Sequence, residues 1–415
     1  MTEKRRLGVG LIGSGFIARF HIQSFEGVRD ADVRGVWSPT AEHAESAAKL
    51  ARDLGVGDCR AHRSLADLVR APEIDAVWIC GPNDRRLEHA REIADLVRSG
   101  KAALRGIACE KPLARNVREA REMLELVRST GLPHGYLENQ VFTPALVRGR
   151  EVIWRRGASI AGRPYLARAS EEHSGPHNPW FWDASRQGGG VLSDMLCHSV
   201  EAGRFLLTEP GKPRGSLELR SASAQIASLK WTRPEYASRL RETMGVDYES
   251  RPAEDFARAT ILYRDGDGND IVLEASTSWS FVGAGLRLSF ELLGPEYSMQ
   301  VSSLDSSCNV YLSRQITGRA GEDLVEKQNA EQGLLPVLED EPGYYGYTAE
   351  NRHMTRRFLE GRMPDETWED GAAVVEVLMA CYRSAEEGRV LSFPVEGIED
   401  FVPAVARGTW DPREG

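Results

Sequence analysis

The chain has 415 residues, with 52 Lys and Arg against 62 Asp and Glu, a formal charge of −10 that disfavours nucleic acid and anionic membranes as partners. At roughly 100–200 residues per domain the length suits two domains, and a hydrophobic content of 41% is that of a globular protein. Six widely separated cysteines show neither a disulfide framework nor a Cys-x-x-Cys knuckle, and read as buried small hydrophobes in a reducing compartment.

In chain order, Lys4-Arg5-Arg6 ahead of the apolar stretch 7–18 has the outline of a signal peptide. Gly8, Gly10, Gly13 and Gly15 weaken such a helix and suit a strand and turn instead. No run approaches the ~18–20 apolar residues that span a bilayer, so a soluble, cytoplasmic protein is expected. Apolar runs at 7–12, 33–37, 76–80, 107–109 and 134–137 alternate with helical patterns at 16–25, 41–54, 86–97 and 117–129. That alternation predicts an α/β domain over residues 1–140, a doubly wound parallel sheet of Rossmann type. Beyond residue 160 the strand-rich runs are 217–230, 257–264, 271–281, 286–293, 297–301 and 310–314, with turn chemistry at 265–270 and 294–295. Helical patterns fall at 191–207, 349–359 and 371–388. An acidic stretch at 339–341 and Tyr344, Tyr345 and Tyr347 mark a loop before the last helices. Residues 141–415 therefore read as an α+β domain with a large, mostly antiparallel sheet.

Gly13-Ser14-Gly15-Phe16-Ile17-Ala18 follows the first strand and opens the first helix, the context in which G-x-G-x-x-A is informative. The first glycine permits a tight turn, and the second removes a side chain where a pyrophosphate approaches. The small third residue lets helix and strand pack, while free N–H groups at the helix start meet the anion. The residue that reads the ribose is due ~20 positions on, where the chain has Trp37-Ser38-Pro39-Thr40 and then His43. No carboxylate stands there to repel a 2′-phosphate, and Ser38, Thr40 and His43 suit either ribose. NADP is favoured slightly over NAD, although no Arg follows Ser38.

Gly81-Pro82-Asn83 ends the third strand and Glu110-Lys111-Pro112 the next, at the sheet edge where ligands of such folds bind. Pro112 restricts Lys111 and admits a cis bond. In Gly188-Gly189-Gly190-Val191-Leu192-Ser193-Asp194-Met195-Leu196-Cys197-His198-Ser199-Val200-Glu201, a helix places Asp194, His198 and Glu201 on one face. By itself that stripe also suits a capped helix with one satisfied core histidine. An Asp and a His together offer a proton acceptor and a carboxylate to orient a hydroxyl.

The order G-x-G-x-x-A, P-N, E-K-P, G-G-G-x-x-x-D-x-x-x-H resembles the glucose–fructose oxidoreductase, inositol dehydrogenase and MocA family over nearly the whole chain. The closing segment Tyr382-Arg383-Ser384-Ala385-Glu386-Glu387-Gly388-Arg389 is similar to that family's last helix. The resemblance implies an NAD(P)-dependent oxidoreductase acting on CH–OH groups of a polyol or sugar. It implies that Lys111 contacts nicotinamide and substrate, that His198 is the general base, and that Asp194 holds a neighbouring hydroxyl. Pro82, Asn83 and Glu110 would line the cofactor, with Arg86 and Asn139 in the same set. The second domain's open sheet would form a homodimer or homotetramer interface. Two departures stand out: Arg86 replaces a frequent His four residues after Pro82, and Val141-Phe142-Thr143-Pro144 replaces R-F-x-P.

Ahead of the Asp194 helix, the segment 173–183 contains His177, Asn178, Trp180, Trp182 and Asp183. It reads either as a loop anchored by aromatics in the core or as a sugar platform of flat rings and hydroxyl-binding polar groups. Pro176 argues against a helical His173/His177 metal pair, and Asp265–Asp270 lacks the Gly and Glu of an EF-hand, so no metal is expected. Two other functions use the same motifs. One is glycoside cleavage through transient 3-oxidation with internally recycled NAD, and the other is a non-catalytic nucleotide-sensing regulator.

Overall fold

Apolar runs without polar alternation make stable strands only when both sheet faces are covered. In the computed structural model, which describes residues 6–283, 285–305, 308–312, 333–338 and 340–412, this is what the first third does. Its strands are β1 (Leu7–Ile12), β2 (Ala31–Trp37), β3 (Arg60–Ala61), β4 (Ala76–Ile79), β5 (Gly106–Glu110) and β6 (His134–Leu137). All pairings are parallel, in the order β3-β2-β1-β4-β5-β6, and every residue of β1, β4, β5 and β6 is buried. The connecting helices are α1 (Phe16–Ser24), α2 (Ala41–Asp53), α3 (Leu65–Arg70), α4 (Asn83–Arg98) and α5 (Val117–Thr130). The strand order reverses between β1 and β4, the switch point where ligands of open α/β sheets bind. Only β3 and α3 are absent from the sequence expectation, because two and six residues carry no periodic signal.

The chain divides into two compact units, 1–144 with 342–373 and 145–341 with 374–415. A single boundary at residue 140 therefore misses the return of 342–373 to the first unit. Packing of the helix Tyr347–Leu359 supplies the reason. Met354 and Phe358 belong to the same buried cluster as β1 and β2, and Phe358 meets Trp78 edge to face at 5.7 Å. A Cβ on Gly106 would lie 2.4 Å from the Phe358 ring, and one on Gly135 2.5 Å from Met354 Sδ. Two strand glycines thus open the groove that receives the helix.

The second unit contains β7 (Leu166–Glu172), β8 (Glu218–Ala227), β9 (Phe256–Arg264), β10 (Asp270–Ser278), β11 (Arg287–Gly294) and β12 (Tyr297–Ser302). They lie in the order β12-β11-β7-β10-β9-β8, with Leu391–Ser392 beside β8. All pairings are antiparallel except that of β7 with β10. The residues 265–270 do form the β9–β10 hairpin turn, where Asp265 accepts the N–H groups of Asp267 and Asn269. One face of this sheet is apolar and receives the helix Cys197–Leu207, whose Gly203 leaves room for Leu273. The other face is polar, with Arg168 paired to Glu274 at 2.6 Å and Glu291 at 3.1 Å. Cys308–Leu312 pairs with Gly333–Val337 in a separate ribbon rather than extending the large sheet. The rest of the expected strand 310–314 and Glu339 of the acidic stretch lie outside the described residues.

Phe358→Ala removes the ring that fills the Gly106 groove. Urea unfolding should show a loss of about 3–5 kcal/mol; a loss below about 1 kcal/mol would contradict this packing.

Candidate active site

The first turn is built for close approach. Gly13 adopts φ +117°, and a Cβ there would lie 3.0 Å from the Cys80 carbonyl group. Side chains are thus excluded where the ends of β1 and β4 meet. A Cβ on Gly15 would meet nothing within 4 Å, and no side chain caps α1. The first N–H groups of α1 therefore have neither a side-chain cap nor an intrahelical acceptor. Phe16 is 43% exposed beside them, Ile17 is half-buried and Ala18 is buried against the strand. These features suit a dinucleotide pyrophosphate. At the end of β2, Ser38 is half-buried while Thr40 and His43 are exposed, with no carboxylate among them.

Arg86, one of the two departures from the resembled pattern, ties together two strand ends. Its buried guanidinium donates to the carbonyls of Gly81 at 3.1 Å and Glu110 at 2.6 Å, and to that of Pro112. Pro82 is half-buried and Asn83 is buried at the start of α4. The Lys111–Pro112 bond is cis, and Lys111 is half-buried. Glu110 is buried; His21 Nε2 lies 2.8 Å from its Oε1, and the Lys111 N–H donates to Oε2 at 3.0 Å. Burial would raise its carboxyl pKa. The His21 hydrogen bond and the neighbouring Lys111 and Arg86 charges outweigh that and hold it below the ordinary value. Asn139 is buried, and its amide donates to the Tyr345 carbonyl at 2.8 Å, which anchors the returning chain. Sequence reasoning missed Glu138, at the carboxyl end of β6, whose burial pushes its carboxyl up to about 8.

In the second unit, the triple glycine opens the Asp194 helix for a steric reason. A Cβ on Gly189 would lie 1.9 Å from the Tyr382 hydroxyl, and one on Gly190 2.4 Å from the Glu254 carbonyl oxygen. Glu254 Oε1 accepts the N–H groups of Gly190 and Leu192, both at 3.0 Å, and the Tyr382 hydroxyl at 2.6 Å. Tyr382 in turn accepts the Gly190 and Ser193 N–H groups. The expected single helix is two elements, a π-helical turn Leu192–Leu196 followed by the α-helix Cys197–Leu207. Asp194 lies in the π turn; Gln187 Nε2 donates to its Oδ1 at 3.1 Å and Trp279 Nε1 to its Oδ2 at 3.3 Å. His198 is buried, and Glu171 Oε2 lies 3.6 Å from its Nε2. Glu201 leaves the expected stripe: it is buried between Arg204 and Arg214, an ion cluster of the core. Gln187, Glu171, Trp279 and Glu254 carry no motif, so the sequence does not reveal them.

The aromatic segment divides. Trp182 is buried, donates to the Pro176 carbonyl, and packs on Trp231, Tyr248 and Trp279. Trp180 and Phe181 stack at 3.8 Å and remain half-exposed. His177 is exposed and Asn178 half-buried. Asp183 Oδ1 accepts the N–H and hydroxyl of Ser185, capping a short helix. His173 Nδ1 accepts the Gly175 N–H.

Burial raises the Glu254 carboxyl from 4.5 to about 7, above its value in the unfolded chain. Between those values the unfolded chain releases a proton that the folded chain keeps. Stability therefore falls as pH rises through this window, by up to about 3 kcal/mol, and is level above it. Urea midpoints from pH 5 to 8 should decline less for Glu254→Gln than for the unaltered protein. Parallel curves would remove Glu254 as a source of pH dependence.

The model of an oxidoreductase family with an NAD-binding Rossmann fold matches residues 7–135, and that of the GFO/IDH/MocA C-terminal domain matches 158–300. A 1,5-anhydro-D-fructose reductase of Ensifer adhaerens is 30% identical over 48% of the chain and 56% of its own length. A levoglucosan dehydrogenase of Pseudarthrobacter phenanthrenivorans is 32% identical over 49% of the chain and 52% of its own length. The chain thus spans about half the length of the curated relatives it matches. A crystal structure of GenD2 from gentamicin A biosynthesis in complex with NAD superposes with a TM-score of 0.72 at 25% identity, covering 94% of the chain and 97% of GenD2. The glycine turn, the Lys111 strand end, the Asp194–His198 helix and both domain matches agree, and the chain belongs to the GFO/IDH/MocA oxidoreductase family.

Proposed function

We propose that the protein is an NAD(P)-dependent dehydrogenase that moves a hydride between a secondary alcohol of a sugar, glycoside or cyclitol and the nicotinamide. The observation that carries this reading is Lys111 at the carboxyl edge of a parallel sheet, its backbone held by a buried carboxylate. The family assignment and relatives named for 1,5-anhydro-D-fructose and levoglucosan support the substrate class.

When bound, the nicotinamide supplies the carbon that exchanges hydride with substrate. The Lys111 ammonium donates to the reacting oxygen and stabilises negative charge as it develops there. His198 takes the hydroxyl proton in the oxidation direction and returns it in the reduction direction. Asp194, its oxygens already oriented by Gln187 and Trp279, accepts a neighbouring hydroxyl. Trp180 offers a sugar the flat face that Trp182, committed to the core, does not. His177 and Asn178 remain candidates for hydroxyl contact, whereas Asp183 already serves as a helix cap. At the ribose end, Ser38, Thr40 and His43 leave NAD and NADP both admissible, and NAD-bound GenD2 favours NAD. The polar open face of the second sheet suits a homodimer or homotetramer. Among the described residues five cysteines are buried and form no disulfide, which suits a reducing, cytoplasmic setting.

The test is reduction of NAD and NADP with a panel of anhydro-sugars, glycosides and cyclitols. Lys111→Met and His198→Ala should each lower kcat by about 10²–10⁴, with the cofactor Kd little changed. Unchanged rates would sink the reading. Sugar release without NADH accumulation would instead indicate redox-neutral glycoside cleavage. Cofactor binding without turnover of any panel member would indicate a nucleotide-sensing role. A Kd for NADP at least tenfold below that for NAD would assign the 2′-phosphate to Ser38, Thr40 and His43.

A further inference from the structure

A polar thread crosses the core of the first unit behind Lys111. The Trp78 indole N–H donates to Asn351 Oδ1 at 2.8 Å, and Asn351 Nδ2 lies 2.9 Å from His21 Nδ1 and 2.6 Å from Ser24 Oγ. His21 Nε2 completes the thread at Glu110 Oε1. All five side chains are buried.

Donor and acceptor chemistry gives the thread one direction. An indole nitrogen only donates, so the amide oxygen of Asn351 faces Trp78. An amide nitrogen also only donates, so His21 Nδ1 must accept. The remaining ring proton sits on Nε2 and goes to Glu110. Ser24 agrees, since its hydroxyl takes the second Asn351 proton and donates to the His21 carbonyl at 2.6 Å. The asymmetry begins at a tryptophan and ends at the carboxylate under Lys111.

We propose that His21 and Asn351 are positioning residues for Lys111. The thread holds His21 as the Nε2–H tautomer and so delivers one neutral N–H to Glu110 Oε1. The Glu110 charge is then not neutralised from behind, and its Oε2 holds the Lys111 backbone N–H. This inference rests on the chemical role proposed above for Lys111.

Wiring and chemistry are measured separately. With ¹⁵N-labelled histidine, and His21→Gln to assign the signal, His21 should show one pyridine-type and one pyrrole-type nitrogen near neutral pH. Asn351→Asp should turn both nitrogens pyrrole-type, because a carboxylate there accepts a second ring N–H. An imidazolium pattern in the unaltered protein, or no response to Asn351→Asp, overturns the thread. His21→Gln preserves the order of acceptor and donor and should keep kcat within about threefold. His21→Leu leaves Glu110 Oε1 without the His21 donor and should lower kcat at least tenfold, with the cofactor KM within about threefold. Equal turnover of His21→Leu and the unaltered protein, with Lys111→Met inactive, overturns the positioning role alone. A fully active Lys111→Met overturns the role of Lys111, and the positioning role with it.

Discussion

A backbone N–H that is buried must find an acceptor, at a cost of about 1–3 kcal/mol if it does not. In both units a buried carboxylate meets that demand at the segment carrying the proposed reactive group. Glu110 takes the Lys111 N–H, and Glu254 takes those of Gly190 and Leu192 ahead of Asp194 and His198. Arg86 does the converse, collecting three carbonyls from two strand ends with one guanidinium. Each arrangement fixes backbone rather than side chain, which leaves Lys111, Asp194 and His198 on a rigid base.

The two carboxylates differ in the company they keep. Glu110 takes a hydrogen bond from His21, has the Lys111 and Arg86 cations nearby, and stays below the ordinary carboxyl range. Glu254 has hydrogen bonds but no cation among the influences on it, and rises to about 7. Burial is common to both; at Glu110 the His21 hydrogen bond and neighbouring charge together outweigh it, and at Glu254 the hydrogen bonds do not.

Much of the first unit is legible in sequence because its strands are uniformly apolar and its turns are glycine-marked. The glycine turn, the E-K-P strand end and the D-x-x-x-H helix are legible as local patterns for the same reason. What escapes is long-range. The strand β7 reads Leu-Ala-Arg-Ala-Ser-Glu-Glu, too small and polar to announce itself, yet Ala167 and Ala169 are core residues. The Trp279 partner of Asp194 lies 85 residues away, and Glu254 lies 64 from the glycine it holds. No spacing rule reaches that far. Trp182 looks like a ligand platform in sequence because burial, not composition, separates it from Trp180.

The return of residues 342–373 also sets an order of events during synthesis. Strands β1 to β6 leave the ribosome early, but Met354 and Phe358 come only after the whole of 145–341 has been made. Until then the grooves at Gly106 and Gly135 lack their helix, and Trp78 lacks the Phe358 ring and its Asn351 acceptor. The nucleotide-binding unit begins first and is completed nearly last. The usual rule that N-terminal domains finish folding before later ones emerge does not hold for this chain.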